Sequence, residues 1–351
     1  MSRPQHLKTL LSRRQRLLAQ VGDGIALIPT APEQVRNRDT HHPYRFDSYF
    51  WYLTGFPEPE AVLVLAGGRS ILFCREKDEE REIWDGFRYG PEAARLAFGF
   101  DEAWPITSLE EKLPQLMADR PALWHALGHD PDWDARIGQA LNAVRSQARA
   151  GKRPPTAIHD LRQVLDAMRL TKDEAELEIM QRAADITRTF PVNGRFSAAQ
   201  KDCYEIVLAA QAAAIAATRP GAGFMAPHDA AVRVLVQGMV DLQLLTGSVD
   251  GIIESGAYKR FYMHRTGHWL GLDVHDAGEY KSGEDWMPLA PGMVLTVEPG
   301  LYIRPGAEVP EHLHGIGIRI EDDVIVTPEG CRVYTRAPKT VAEIEEVMAH
   351  D

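Results

Sequence analysis

The chain has 351 residues, too many for one ordinary hydrophobic core and enough for about two domains of ~100 to 200 residues each. Hydrophobic residues at 44% and charged residues at 25% are the proportions of a folded globular protein and argue against general disorder. With 39 basic against 50 acidic residues, the net charge of −11 repels phosphate backbones and anionic lipid surfaces, so neither nucleic acid nor membrane is an expected partner.

The opening MSRPQHLKTLLSRRQRLLAQ reads as a basic amphipathic helix without the apolar core of a signal segment, a surface element of the first domain. No apolar run approaches the ~20 residues needed to span a bilayer. Strand patterns follow at 24–29, 61–66 and, after the Gly67-Gly68 turn, 70–74; helical patterns at 91–98 and 109–117 and a strand at 122–125 complete an α/β unit. The polar, basic SQARAGKRPPTA at 146–157 contains Pro154-Pro155, which cannot continue a helix, and divides the chain into domains 1–150 and 151–351. Helices are expected at 160–170 and 172–184, the second marked by Leu177, Met180 and Ala184 at helical spacing. DITRTF then reads as strand, with Asp185, Thr187 and Thr189 on one face and Ile186, Arg188 and Phe190 on the other. No turn residue separates that helix from that strand, which is an unusual junction. Ser197 and Gln200 form a capping box that opens an Ala-rich helix ending at Pro220-Gly221, and strands with Gly/Pro turns dominate from Phe261 onward. Cys74, Cys203 and Cys331 are widely separated and in no motif, as in a reducing cytoplasm without a disulfide framework.

Four segments of the second domain concentrate metal-ligand types among apolar strand residues: DITRTF, MHRTGHWLGLDVHD, MVLTVEPG and GIRIEDD. The period of two groups Val294, Thr296 and Glu298 opposite Met293, Leu295 and Val297, and Gly317, Arg319 and Glu321 opposite Ile316, Ile318 and Ile320. Each strand thus offers an apolar face and a face with a carboxylate, whose burial costs several kcal/mol unless a cation or donors compensate it. Taken singly, Asp185 is an ordinary edge residue, Glu298 a solvated strand end, and the three histidines a polar loop. His264 and His268 are four apart, but Arg265 follows His264, so this is not the H-E-x-x-H zinc helix. Jointly, Asp, His, Glu and Glu in strand context point to a site for divalent cations of the Mn or Zn kind.

These stretches, together with YRFDSYFWYLTGFPEPEAVLVL and REIWDGFRYG earlier in the chain, resemble the Xaa-Pro aminopeptidases of the bacterial aminopeptidase P type, pita-bread metallopeptidases, over nearly the whole length. The resemblance implies an α/β N-terminal domain and an α+β pita-bread (creatinase/aminopeptidase-like) catalytic domain. It implies metal ligation by Asp185, His268, Glu298 and Glu321, with Arg319 and Thr187 behind them, and two Mn2+ ions in a complete site. It further implies removal of an N-terminal residue that precedes proline, with Glu298 managing the proton and with His264 and His275 positioning the substrate and stabilising the oxyanion. Alternatives are a prolidase acting on dipeptides and an inactive binding or regulatory protein of the same ancestry. One departure accounts for the unusual junction: most of the family's first α-β-β unit, with its first metal-binding aspartate, has no counterpart here. Glu174, eleven residues before Asp185, stands where that aspartate is expected but lies in a charged helix. The expectations are therefore one tight Mn2+ site rather than two, impaired turnover, and a homo-oligomer formed through the exposed edge of the Asp185 strand.

Overall fold

Short, nearly continuous apolar runs build the sheet of the first unit, because strands covered on both faces have no polar side to present. The structure, a computed structural model, describes residues 3–38, 40–183, 189–306 and 308–349, so Asp185 and Thr187 lie outside the described residues. It divides into units Met1–Asp166 and Ala167–Asp351. In the first, helix α1 (Arg3–Val21) leads into β1 (Ile25–Pro29), the short pair β2 (Val35–Asn37) and β3 (Thr40–His41), and helix α2 (Ser48–Thr54). Strands β4 (Val62–Ala66) and β5 (Arg69–Cys74), helices α3 (Glu79–Asp85) and α4 (Gly90–Phe98), strand β6 (Glu102–Pro105) and helix α5 (Leu109–Met117) follow. Strand β7 (Ala122–His125), helix α6 (Pro131–Ser146) and strand β8 (Ala157–Asp160) complete it. The sheet order is β6-β5-β4-β1-β7-β8. Ile25, Leu27, Val62, Val64, Ile71 and Phe73 share one core with Leu109, Leu113 and Met117 of α5 and Ile137 and Val144 of α6.

The boundary expected at residue 150 falls inside this first unit. The segment after Pro154-Pro155 does not merely link: Ala157–Asp160 pairs in parallel with β7, Ala122 to Ala157 through His125 to Asp160, and the division falls later, within helix α7 (Leu161–Leu170). The basic N-terminal helix also does more than lie on the surface. Arg13 and Arg14 are buried, and Arg14 donates to the carbonyls of Leu53, Phe98 and Gly99 at 3.1, 2.8 and 2.7 Å. Those are the C-terminal carbonyls of α2 and α4, which no intrahelical donor reaches. Burial draws the Arg14 guanidinium down to about 10, so it stays charged at neutral pH.

In the second unit helix α8 (Glu174–Ala183) follows α7. Helix α9 (Ala198–Ala217) starts at the expected capping box: the Ser197 side chain accepts from Gln200 N and the Gln200 side chain from Ser197 N. Helices α10 (Ala226–Asp241) and α11 (Val249–Ser255) and the short pair β9 (Lys281–Ser282) and β10 (Asp285–Trp286) come next. Then come β11 (Val294–Val297), β12 (Gly300–Tyr302), β13 (Gly317–Arg319), β14 (Asp322–Thr327), β15 (Gly330–Val333) and helix α12 (Val341–Ala349). Among the described residues the sheets here are small: β11-β14-β15 and β12-β13.

Strand β11 is buried on both faces, not on one. Leu295 and Val297 join the main core with Val207 and Ala210 of α9 and Leu235 and Met239 of α10. Val294 packs on the other side with Ile325 and Tyr334, and Leu177 and Met180 of α8 lie against that cluster. Helix α8 therefore covers the second face of the sheet, which is why its apolar residues recur at helical spacing. Just past the undescribed 184–188, Thr189 donates from N to the Arg319 carbonyl at 3.3 Å and accepts from Arg319 N at its hydroxyl at 3.0 Å. At that end, the segment expected to lack a pairing partner is bonded to β13. Phe190 is 47% exposed.

Candidate metal centre

The pairing of β11 and β14 brings two glutamates to one place. Val297 lies opposite Asp322 at the last antiparallel pair, so Glu298 leaves the end of one strand as Glu321 enters the other. On the free edge of β11 the segment 266–270 runs as an extra strand: Glu298 N donates to Thr266 O at 2.7 Å, Thr296 N to His268 O at 3.0 Å and Leu270 N to Val294 O at 3.1 Å. That pairing sets the His268 segment beside the two carboxylates, and no helix is involved, which suits Gly267 and Gly271, both poor helix formers. Gly267 is required by packing, since a Cβ there would stand 2.0 Å from the Thr296 carbonyl oxygen.

His268, Glu298 and Glu321 each present a ligand atom, all within 4.8 Å of one another. The His268 Nδ1 lies 2.9 Å from the Trp269 carbonyl oxygen, which can only accept, so Nδ1 carries the ring proton. The bare lone pair of Nε2 then faces Glu298 Oε1 at 3.3 Å. In the neutral ring these are two acceptors turned toward each other, which repel unless a cation lies between them, and a nitrogen with two carboxylates is a donor set for borderline divalent metals. The residues present therefore fit a divalent cation. Glu298, only 9% exposed, also accepts from Thr296 Oγ1 at 3.2 Å and from Arg319 Nη1 at 3.3 Å. Thr296 Oγ1 in turn accepts from His268 N at 3.1 Å, so one buried hydroxyl ties the imidazole segment to the carboxylate.

Of the other residues singled out in the sequence, His275 is exposed and its ring lies 4.2 Å from that of His268, centroid to centroid. His264 gives its Nδ1 proton to the Arg265 carbonyl at 2.8 Å, which leaves Nε2 to accept from the Tyr302 hydroxyl at 2.8 Å. Glu174 is exposed at the start of α8 and is not part of the ligand cluster.

Sequence reasoning placed Thr296 on the Glu298 face without giving it a role, and missed Tyr302, Thr266 and His228. Thr296 shares a strand face with Glu298, a signal that was legible; the others meet only through folding. His228 Nδ1 lies 3.0 Å from Thr266 Oγ1, and the same hydroxyl is 2.7 Å from the Tyr262 hydroxyl. Burial, with lesser contributions from Arg265, His264 and Lys259, pulls His228 from 6.5 down to about 4. The unfolded chain therefore takes up a proton near pH 6.5 that the folded chain refuses until about 4. The stability this neutral ring provides is complete above that upper value and shrinks as pH falls toward the lower one. Discounted for solvent screening, the loss is on the order of 2 kcal/mol. Thermal melts from pH 7 to pH 4 should show a decline that His228→Asn reduces; an equal decline in both proteins would assign it to other groups.

A His/Glu/Glu centre on antiparallel strand ends, backed by helices and preceded by an α/β domain, is the architecture of a pita-bread metallopeptidase. The model of the aminopeptidase P N-terminal domain matches residues 11–124, and that of metallopeptidase family M24 matches residues 139–328. The Xaa-Pro aminopeptidase of Escherichia coli K12 is 36% identical, with 96% of each chain covered; Xaa-Pro aminopeptidase 1 of Streptomyces coelicolor is 48% identical, with 96% of this chain and 86% of that one covered. The solved aminopeptidase PepP of Pseudomonas aeruginosa superposes with a TM-score of 0.96 at 41% identity, covering 98% of both chains. A zinc-substituted Escherichia coli aminopeptidase P in complex with product superposes with a TM-score of 0.95 at 35% identity, covering 100% of this chain and 99% of that one. The chain belongs to metallopeptidase family M24, among the Xaa-Pro aminopeptidases with an aminopeptidase P N-terminal domain, and its activity class is that of a metal-dependent aminopeptidase. The alignment with the Escherichia coli K12 relative runs over 425 positions, more than the 351 residues of this chain, so that relative carries residues with no counterpart here.

Proposed function

We propose that the protein removes an N-terminal residue preceding proline from peptides. In this reading His268, Glu298 and Glu321, with Asp185, hold a single tight Mn2+ ion, and turnover is impaired because the first aspartate ligand of the family is absent. The observation that carries it is the bare Nε2 of His268 facing Glu298 with Glu321 beside them. When bound, the cation supplies Lewis acidity that makes a water nucleophilic at neutral pH. Glu298 receives the proton of the attacking water and passes it to the leaving amine. Arg319 Nη1, 3.3 Å from Glu298 Oε2, holds that carboxylate in place. His264, held by Tyr302, and His275, packed with its ring tilted against that of His268, line the approach of the substrate carbonyl. The lost aspartate leaves a second cation too few ligands for tight binding, which favours weak turnover and keeps the inactive binding protein as the second reading.

The test is calorimetric titration with Mn2+ followed by hydrolysis of Arg-Pro-Pro and of an Xaa-Pro dipeptide. One tight equivalent with slow cleavage of the tripeptide is expected. Two equally tight equivalents would show that another residue replaces the aspartate, cleavage of dipeptides alone would make it a prolidase, and no cleavage would leave a binding protein. We further place the chain in the cytoplasm, in keeping with three free cysteines, and as a homo-oligomer. Phe190 and Val192, 47% and 98% exposed beyond the Thr189 bridge to β13, support self-association. Sedimentation should give a mass above that of one chain, and a monomer at micromolar concentration would refute it.

A further inference from the structure

The turn that carries the chain from His268 to His275 is held by buried charges that the chemistry above does not use. Asp276 has a side chain only 1% exposed, and its carboxylate accepts from Arg169 Nη2 at 2.6 Å and from Lys172 Nζ at 2.9 Å. Arg169 also reaches Asp273 at 2.8 Å, and Asp273 N donates to Asp276 Oδ1 at 3.3 Å. Asp276 N donates to the Trp269 carbonyl at 3.0 Å, and Lys172 N to the Gly292 carbonyl at 3.0 Å. The turn leaves no room for a side chain at Gly271, where a Cβ would meet Asp276 Oδ2 at 2.1 Å. Taking two cations and a carboxylate out of water costs several kcal/mol per ion before their attraction offsets it, so such a cluster is a poor way to gain stability and a good way to fix one geometry. What it fixes is on either side of it. His275 immediately precedes Asp276, and its ring lies 4.2 Å from that of His268, whose Nε2 faces Glu298.

We propose that Asp276, gripped by Arg169 and Lys172, is a positioning residue: the clamp sets the turn that packs the tilted His275 ring against His268 and so aims His268 Nε2 at the two glutamates. This rests on the reading of His268 as a metal ligand. Arg169 and Lys172 both precede the abrupt junction at 184, so this part of the site is set by chain that the shortened catalytic domain retains.

The clamp is tested on the full chain by NMR with labelled histidine and by Mn2+ titration. In the wild type without added metal, a cross-relaxation signal should join the His268 and His275 rings, which lie 4.2 Å apart; Asp276→Asn should abolish it and weaken Mn2+ binding about 10- to 100-fold. In the His275→Ala background, Asp276→Asn should cost less than about threefold more, since both act through one contact. Where Asp276→Asn fails to fold, Asp273→Asn replaces it: that carboxylate is 43% exposed and its loss loosens the Arg169 side of the clamp, so a weakened ring signal is expected. A ring signal and Mn2+ affinity unchanged in a folded variant, or fully additive losses in the double variant, overturn the proposal. Mn2+ binding that survives His268→Ala overturns the ligand reading instead, while the ring signal still decides the clamp.

Discussion

His268→Ala should remove the tight Mn2+ equivalent, weakening binding by at least about 100-fold and lowering peptide hydrolysis in step. The imidazole supplies the one nitrogen in the described cluster, and its Nδ1 contact with the Trp269 carbonyl leaves Nε2 as the candidate ligand atom. Without it, Glu298 and Glu321 remain as carboxylates near each other, one of them already turned to Arg319. Oxygen ligands alone keep weak affinity for Mn2+ and less for zinc, so the loss should be steeper for zinc. Thermal melting should change little, because His268 is half-buried and leaves no large cavity. Titration of the folded variant decides the matter: a surviving tight equivalent would move the metal elsewhere.

Gly267→Ala should be nearly as damaging by a different route. A Cβ at 2.0 Å from the Thr296 carbonyl oxygen meets backbone, not the yielding end of a side chain, so the two segments must separate. Separation breaks the bonds from Thr296 N to His268 O and from Glu298 N to Thr266 O, which register the imidazole against the carboxylate. Overpacking of this kind costs about 1 to 3 kcal/mol or more, and the melting temperature should fall accordingly. Unlike His268→Ala, this variant keeps every ligand, so weakened Mn2+ binding would report geometry alone. Wild-type melting together with wild-type affinity would show that the edge segment slides aside at no cost.

Local pattern was enough for much of the frame. Five-residue apolar runs became β1 and β4, the Gly67-Gly68 turn joined β4 to β5, and Ser197 with Gln200 started α9, because capping, turn chemistry and short apolar runs act over a few residues. The candidate ligands His268, Glu298 and Glu321 were legible for a related reason: a carboxylate or imidazole among buried strand residues is too costly to be incidental. Strand β8 was not legible, since its exposed residues pair only because β7 lies alongside. Nor were Arg14, which caps two helix ends far along the chain, or Thr266, His228 and Tyr302, which carry no local signature. By itself, then, the sequence singled out His268, Glu298 and Glu321 as residues of metal-ligand type and showed that no turn residue follows the helical pattern before DITRTF. Only the tertiary structure decided that segment 266–270 lies along β11, that His268 Nε2 faces Glu298, and that Asp276 is clamped from before the junction, because these depend on backbone pairings and buried contacts between positions roughly 30 to 100 residues apart, whose meeting no local preference encodes.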